Sequence, residues 1–142
     1  QTRKDITWDF SGRTVRGKNI ESRSLGKCYL ENRYDTSNHL YLFRGFSYSF
    51  NFDVPFEPRE AELIVRHLTS TAGSKPGFSP ITLRINGNSV ARWTDCGGGF
   101  SDSKVSIGDH LKKGRNSASF SYDPSSGRTG YWQKSVKINV YN

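Results

Sequence analysis

Hydrophobic and polar residues alternate along much of the chain with a period of two, which is typical of strands that bury one face and expose the other. The clearest case is the segment 47–54, where every second residue from Tyr48 to Val54 is aromatic or aliphatic and the residues between them are Ser, Asn or Asp. Three later segments show the same alternation: 81–86, 117–122 and 135–140. The pattern therefore predicts four amphipathic strands.

Shorter features of the sequence add to this prediction. The run 63–65 is apolar at every position, which favours a central strand that is covered on both faces. Asn86-Gly87 follows one alternating segment directly and precedes 89–93, which is the spacing of a two-residue hairpin turn with positive φ at both central positions. Weaker strand patterns lie at 28–34 and 39–44.

The fold class follows from what the pattern lacks. No window of about ten residues shows helical spacing, and only 107–113 has room for a helical turn. About eight short strands in a single domain, 1–142, must pack as two sheets, because one open sheet would leave an apolar face in water. We therefore expect an all-β, two-sheet antiparallel sandwich. Its loops fall at 55–58, 70–79, 96–103 and 123–130, and such loops are where binding residues concentrate.

Composition narrows the class of protein further. The 142 residues include 21 Lys and Arg against 13 Asp and Glu, which gives a net charge of +8. Aromatic residues make up 13% of the chain and are spread along it, which argues against disorder. The apolar runs, such as 40–43, fall far short of the roughly 20 residues that cross a bilayer. We expect a folded, basic protein without a membrane span.

The start of the chain and its two cysteines bear on its location. The sequence contains no methionine and begins with Gln1, so we expect a processed, secreted chain from which an export leader was removed; the alternative is a start set by trimming. Cys28 and Cys96 lie in no CxxC motif or Cys/His cluster, so a zinc site is not indicated. In an oxidising compartment they are candidates for a disulfide, and the alternative is two buried free thiols.

Four segments, taken in order, resemble a known family. They are the apolar strand 63–68, the strand 81–87 that ends in Asn-Gly, the turn 109–116 with the pattern Asp-x-Leu-x-x-Gly-x-Asn, and the closing strand 130–140. This succession resembles the galactose-binding-like jelly rolls, the sandwich shared by many carbohydrate-binding modules. The resemblance implies a jelly-roll fold and an oligosaccharide or polysaccharide as partner, and it leaves the oligomeric state open.

Several domains of this kind hold a structural calcium ion with acidic residues near the chain ends. The closing segment 138–142 of this chain has no acidic residue. The sequence therefore gives no support for a calcium ion, which stays open, and we expect no cofactor.

Sugar binding needs flat apolar side chains that cover the C–H face of a pyranose, together with polar groups that bond its hydroxyls. Trp93 leads into Asp95 and a glycine-rich loop, while Tyr131 and Trp132 close a loop that contains Arg128. Arginines also suit the carboxylates of uronate sugars, and a positive net charge favours anionic partners. The candidate ligand-binding residues are Tyr34, His39, Arg92, Trp93, Asp95, Arg128, Tyr131 and Trp132. The alternative for Trp93 and Trp132 is a place in the core, which is the interpretation that we favour for Trp8.

Two other classes of function remain open. A polysaccharide lyase needs a cation for the uronate carboxylate and a Tyr or His that moves protons, and the chain has these residue types. A basic chain with interleaved aromatic residues also fits single-stranded nucleic acid. However, His39, His67 and His110 lie in no hydrolase motif, and no strand carries an RNA-binding aromatic signature. We therefore favour a binding protein without catalytic activity over a lyase and over a nucleic-acid-binding protein.

Overall fold

The fold is that of a computed structural model, which describes residues 2–10, 16–18, 20–24, 29–31, 39–70 and 77–142, with side chains described in 2–10, 39–70 and 77–142. These residues form twelve strands and one short 3₁₀ turn, Gly108–His110. The strands are β1 (Arg3–Asp9), β2 (Arg16–Lys18), β3 (Ile20–Ser24), β4 (Tyr29–Glu31), β5 (His39–Leu42), β6 (Ser47–Val54), β7 (Glu60–Ser70), β8 (Ile81–Ile85), β9 (Asn88–Trp93), β10 (Ser101–Ser106), β11 (Gly114–Tyr122) and β12 (Gly130–Tyr141).

The strands pair into two antiparallel sheets. Sheet A has the order β10-β7-β12-β1-β2, and β5 extends it by pairing with the first residues of β12 and with β4. Sheet B has the order β3-β6-β11-β8-β9. The prediction of an all-β, two-sheet jelly-roll sandwich is confirmed. Within the described residues, no helix has the length and hydropathy that a membrane-spanning segment needs.

The core lies between the sheets and is rich in aromatic side chains. Trp8 of β1 is fully buried, as predicted, and stacks on Phe50 of β6 with 5.0 Å between ring centroids. Tyr48 stacks on Phe120 of the neighbouring strand β11 at 5.5 Å. Because side chains alternate across a strand, the period-two pattern in the sequence marks the buried residues of β6, β8, β11 and β12.

The end of the sandwich near the turn 109–116 is held by two asparagine side chains. Asn86 and Gly87 form the predicted hairpin turn with φ of +50° and +83°. The Asn86 amide donates to His110 O and to Asn116 Oδ1, both at 2.9 Å. Asn116 is buried, accepts from Lys112 N at 3.0 Å and donates to Lys112 O at 2.8 Å. The asparagines of the family-like motif therefore fix the backbone at this end.

Some strands carry no clear sequence signal. β10 lies at the edge of sheet A, and its sequence is polar except for Val105, so it shows little alternation. Its start at Ser101 shortens the loop predicted at 96–103. The helical turn expected within 107–113 is the 3₁₀ turn. Of the weak pattern at 28–34, 29–31 form β4, and Cys28 and 32–34 lie outside the described residues.

Candidate functional site

Several of the predicted site residues lie at one end of the sandwich, which we call the loop end. This end is formed by the connections 43–46, 77–80, 94–100 and 123–129, which leave or enter β5, β8, β9 and β11 on the same side. It lies opposite the end that the asparagine side chains hold together. Antiparallel order places the end of one strand beside the start of the next, so residues distant in sequence meet here.

Trp93 is half-buried at the end of β9. Its indole stacks on Phe120 with 6.5 Å between centroids and an interplanar angle of 20°. The edge of the His67 ring meets it at 5.2 Å and 86°. Trp93 therefore contacts β7 of sheet A and β11 of sheet B, and it keeps part of its surface in solvent.

Asp95 and Arg92 flank this tryptophan. Asp95 is exposed, and its Oδ1 accepts from Gly97 N at 2.8 Å, which shapes the turn into Gly97 with φ of +86°. Arg92 is exposed and lies opposite Thr82 on the outer face of sheet B. Since neighbouring residues of a strand point to opposite faces, the structure does not bring Arg92 together with Trp93.

Phe78 is a site residue that the sequence analysis missed. Its ring is half-buried, and the guanidinium carbon of Arg128 lies 5.1 Å from its centroid, a cation–π arrangement. Phe78 O accepts from Arg128 N at 2.9 Å, and Ser79 N donates to Thr94 O at 2.8 Å. These bonds bring Phe78 and Arg128 beside the Trp93–Asp95 segment. The only signal in the sequence was an isolated aromatic residue between Gly77 and Ser79.

We call Phe78, Trp93, Asp95 and Arg128 the loop rim. Two polar side chains hold its segments together from below. Ser79 Oγ lies 2.9 Å from Gly130 O, and the Tyr122 hydroxyl donates to Thr129 O. Gly127 packs so closely on the Tyr122 ring that a Cβ there would come within 1.8 Å of Cε1. The loop rim is therefore built on connections that are bonded to the sandwich.

Tyr131, Trp132 and His39 lie inside the molecule. Their exposed fractions are 0%, 2% and 0%. The expectation that Tyr131 and Trp132 offer a face to a sugar at the end of a loop is wrong, because β12 begins at Gly130 and both residues lie within sheet A between β5 and β7. Trp132 is covered by Tyr41, and His39 packs on Phe100. Tyr34 lies outside the described residues.

A chain of buried polar side chains runs behind Trp93. Gln133 Nε2 donates to the Tyr131 hydroxyl at 2.8 Å, which lies 2.7 Å from His67 Nδ1. His67 Nε2 in turn lies 2.7 Å from Ser103 Oγ. At the other end of the chain of bonds, the Tyr48 hydroxyl donates to the side-chain carbonyl oxygen of Gln133. A neutral imidazole has one donor and one acceptor nitrogen, so each His67 nitrogen bonds its hydroxyl, of Tyr131 or of Ser103, whichever nitrogen carries the proton.

Burial sets the protonation of this chain. It lowers the pKa of His67 from 6.5 to about 4, against a weak opposing effect of Asp102. It also raises the pKa of Tyr131 well above its usual value. Both groups are therefore neutral near pH 7, and they position the Trp93 ring from behind.

Cys96 is half-buried, and burial raises the pKa of its thiol to about 11. It forms no disulfide with any described residue. Cys28 lies outside the described residues, so a bond between the two stays a prediction. Among the described residues, no group of three or more His, Cys, Asp or Glu is placed to hold a metal ion.

Comparisons with known proteins define the class of fold. No protein-family model and no curated protein matches the sequence. Three similar solved structures are the CBM36-1 domain of a multidomain xylanase from the hindgut metagenome of Trinervitermes trinervoides, a family 35 carbohydrate binding module from Clostridium thermocellum, and an exo-β-1,3-galactanase from Phanerochaete chrysosporium.

The chain covers these structures to different extents. Against the xylanase domain the TM-score is 0.58 with 13% identity, and 96% of each chain is covered. Against the family 35 module the TM-score is 0.58 with 13% identity, over 95% of this chain and 97% of the module. Against the galactanase it is 0.57 with 15% identity, over 96% of this chain and 29% of the enzyme. The fold is thus that of the galactose-binding-like jelly rolls, as the sequence resemblance predicted.

Proposed function

We propose that this protein binds carbohydrate at the loop rim and does not transform it. The observation that carries the proposal is the cation–π pair of Phe78 and Arg128 beside Trp93 and Asp95 on bonded loops. The fold supports it, since the similar xylanase domain and family 35 module are described as carbohydrate-binding modules. A free-standing domain and a domain of a larger enzyme both suit this function.

The loop rim has the chemistry that sugar recognition needs. The exposed part of the Trp93 indole covers pyranose C–H groups, and burying one sugar face there contributes about 1–2 kcal/mol. The Arg128 guanidinium donates to hydroxyls, and the Phe78 ring holds its plane in place. Asp95 accepts from hydroxyls at the other side. These few contacts give weak binding to single sugars and stronger binding to polymers that engage the rim along their length.

Around the loop rim, the enclosed positions of His39, His67 and Tyr131 favour binding over lyase chemistry. A lyase needs a Tyr or His within reach of the sugar ring. His67 and Tyr131 are fully buried and hydrogen-bonded to each other, and His39 is buried as well. A secreted location fits this function, because extracellular polysaccharides are the ligands that such a module meets.

Affinity gel electrophoresis and calorimetry with xylan and β-1,3-galactan test this proposal. We expect Trp93→Ala and Phe78→Ala to weaken binding to the preferred polymer about tenfold, which corresponds to about 1.4 kcal/mol. Phe56→Ala removes a half-buried aromatic ring from a different connection and serves as the matched control.

Because Trp93 contacts core residues, Trp93→Phe is tested beside Trp93→Ala. Thermal unfolding is measured for every variant. Binding that survives in both folded variants at the rim, or that falls equally in the Phe56 variant, would contradict the proposal. Release of unsaturated, ultraviolet-absorbing products from a uronate polymer would show a lyase instead.

A further inference from the structure

The outer face of sheet B carries a second group of polar side chains, away from the loop rim. Its strands bury Tyr48, Phe50, Leu83 and Phe120, so the alternate residues point outwards. Near the loop end these outward residues form two adjacent cross-strand rows. One row is Ser47, Ser121, Thr82 and Arg92, and the next is Ser49, Ser119 and Arg84. We call these residues the serine–arginine face.

Small hydroxyl side chains leave this face recessed where it meets the loop end. An open cavity of about 400 Å³ lies there. Its walls include Phe46, Thr82, Arg84, Ser121, Asp123 and Pro124. The half-buried Phe46 ring and Pro124 supply apolar surface, and the other four supply donors and acceptors. A cavity of this size holds one or two sugar units.

Among the described residues, the charge of Arg92 acts on Asp123, but neither arginine of this face forms an ion pair. Arg84 Nη1 donates to Ser121 Oγ at 2.8 Å, which orients the guanidinium along the sheet. No carboxylate among the described residues forms an ion pair with Arg84 or Arg92. On the outer face of sheet A, by contrast, Arg3 pairs with Asp5 at 2.7 Å. A guanidinium that forms no such ion pair with the described residues is suited to a carboxylate in a ligand.

Asp123 supplies an acceptor at the loop end of the cavity. Its Oδ1 accepts from Ser125 N at 2.9 Å and from Ser125 Oγ at 2.8 Å, and these bonds hold its pKa below the usual value, with a smaller effect from Arg92. Asp123 is therefore ionised at neutral pH, and its Oδ2 takes part in neither bond. A fixed carboxylate of this kind accepts from a sugar hydroxyl.

Another cavity, formed by described residues, is larger and does not have this character. It measures about 490 Å³ and lies on the side of the asparagine-held end. Glu60, Glu62 and Asp109 are among its lining residues, together with Arg59. An anionic ligand would meet three carboxylates there, whereas Asp123 is the only one on the walls of the smaller cavity.

We propose that the serine–arginine face is a second binding surface, which takes a uronic acid unit of an acidic polysaccharide. The sugar carboxylate pairs with the guanidinium of Arg84, and a ring hydroxyl donates to Asp123. The C–H face of the sugar ring packs on Phe46 and Pro124. Arg92, in the neighbouring row, attracts the carboxylate of an adjoining unit. The net charge of +8 adds long-range attraction for such a polymer.

Calorimetry with two matched probes tests this proposal on the full chain. The probes are an oligogalacturonate and the same oligomer with its carboxylates methyl-esterified. We expect the acidic oligomer to bind the wild-type protein more tightly, and Arg84→Ala to weaken its binding about tenfold without changing the esterified one. Arg84→Lys keeps the charge and loses the paired donors of the guanidinium. We therefore expect its affinity for the acidic oligomer to lie between those of the wild type and Arg84→Ala. Arg66 is an exposed arginine of sheet A and provides the control. We expect Arg66→Ala to change the affinity less than about twofold.

A second measurement locates the acidic oligomer independently of any variant. Amide chemical shifts should move at 47–49, 82–84 and 119–123. Shifts confined to the loop rim, equal effects of the Arg84 and Arg66 variants, or no binding of the acidic oligomer would each overturn the proposal. So would tighter binding of a single-stranded oligonucleotide of equal charge through Arg84. The loop rim is tested separately by the Trp93 and Phe78 variants with neutral polymers, so either proposal can fail while the other stands.

Discussion

At the end of the sandwich that carries Asn86 and Asn116, the important side chains bond the protein backbone. At the loop end, by contrast, two half-buried rings and a guanidinium are open to the solvent. Asn116 is 1% exposed and bridges Lys112 and Gly114. Arg128 is exposed and rests on a half-buried ring. Backbone geometry therefore dictates the residues at the first end, while the residues at the second are free to suit a ligand.

The largest expected difference between the two ends is a dependence of stability on pH that originates beneath the loop rim. His67 has a pKa of about 4 in the folded protein and about 6.5 when unfolded, so the unfolded chain binds more protons between these values. The contribution of neutral His67 is complete above pH 6.5 and is lost as the pH falls towards 4, a loss of about 3 kcal/mol.

Chemical unfolding of the wild type and of His67→Gln across this range measures the contribution. The variant is less stable at pH 7, and the gap in unfolding free energy narrows as the pH falls to 4. Asn88→Ala, at an exposed position of the other end, changes no titratable group and serves as the control, with a nearly constant gap. A constant gap for His67→Gln as well would contradict the buried, neutral histidine.

The second effect belongs to the asparagine-held end. Asn116→Ala removes an amide that serves both Lys112 and Gly114, and it leaves partly buried backbone groups without this partner. We expect the free energy of unfolding to fall by about 2 kcal/mol. Polysaccharide binding by the folded variant should stay at the wild-type level. Asn88→Ala, at an exposed position of the same hairpin, should change neither quantity measurably.

This contrast explains which parts of the molecule could be predicted from sequence. The segment 47–54 coincides with β6, and the hairpin at Asn86-Gly87 is where the turn chemistry placed it, because alternation and positive φ are local properties. Trp132 was misplaced because a tryptophan at the start of a buried strand and one at the end of a loop look alike in sequence. Phe78 was missed because its role at the loop rim depends on a contact with Arg128, fifty positions later in the sequence. Only the fold creates that contact.

The third effect concerns the bonds that hold the loop rim to the sandwich. Ser79→Ala removes the hydroxyl that lies between Thr129 and Gly130, and we expect a loss of about 1 kcal/mol in stability. Since Phe78 precedes this serine, binding at the rim should weaken as well. Ser89→Ala, exposed on β9, is the control. Thermal unfolding and calorimetry measure both quantities. A Ser79→Ala variant that loses stability but keeps its affinity would show that Ser79 does not position the loop rim.

The smallest effect on stability, and the most specific effect on binding, is expected at Arg128. Its guanidinium is exposed and contributes about 0.5 kcal/mol to the fold through the Phe78 ring, so Arg128→Ala should unfold at nearly the wild-type temperature. Affinity for a neutral polymer should nevertheless fall about threefold to tenfold, because the rim loses its planar donor. Arg128→Lys keeps the charge without the plane, so it separates the two causes. If the lysine variant binds as the wild type does, general charge rather than the stacked guanidinium distinguishes the loop end from the asparagine-held end.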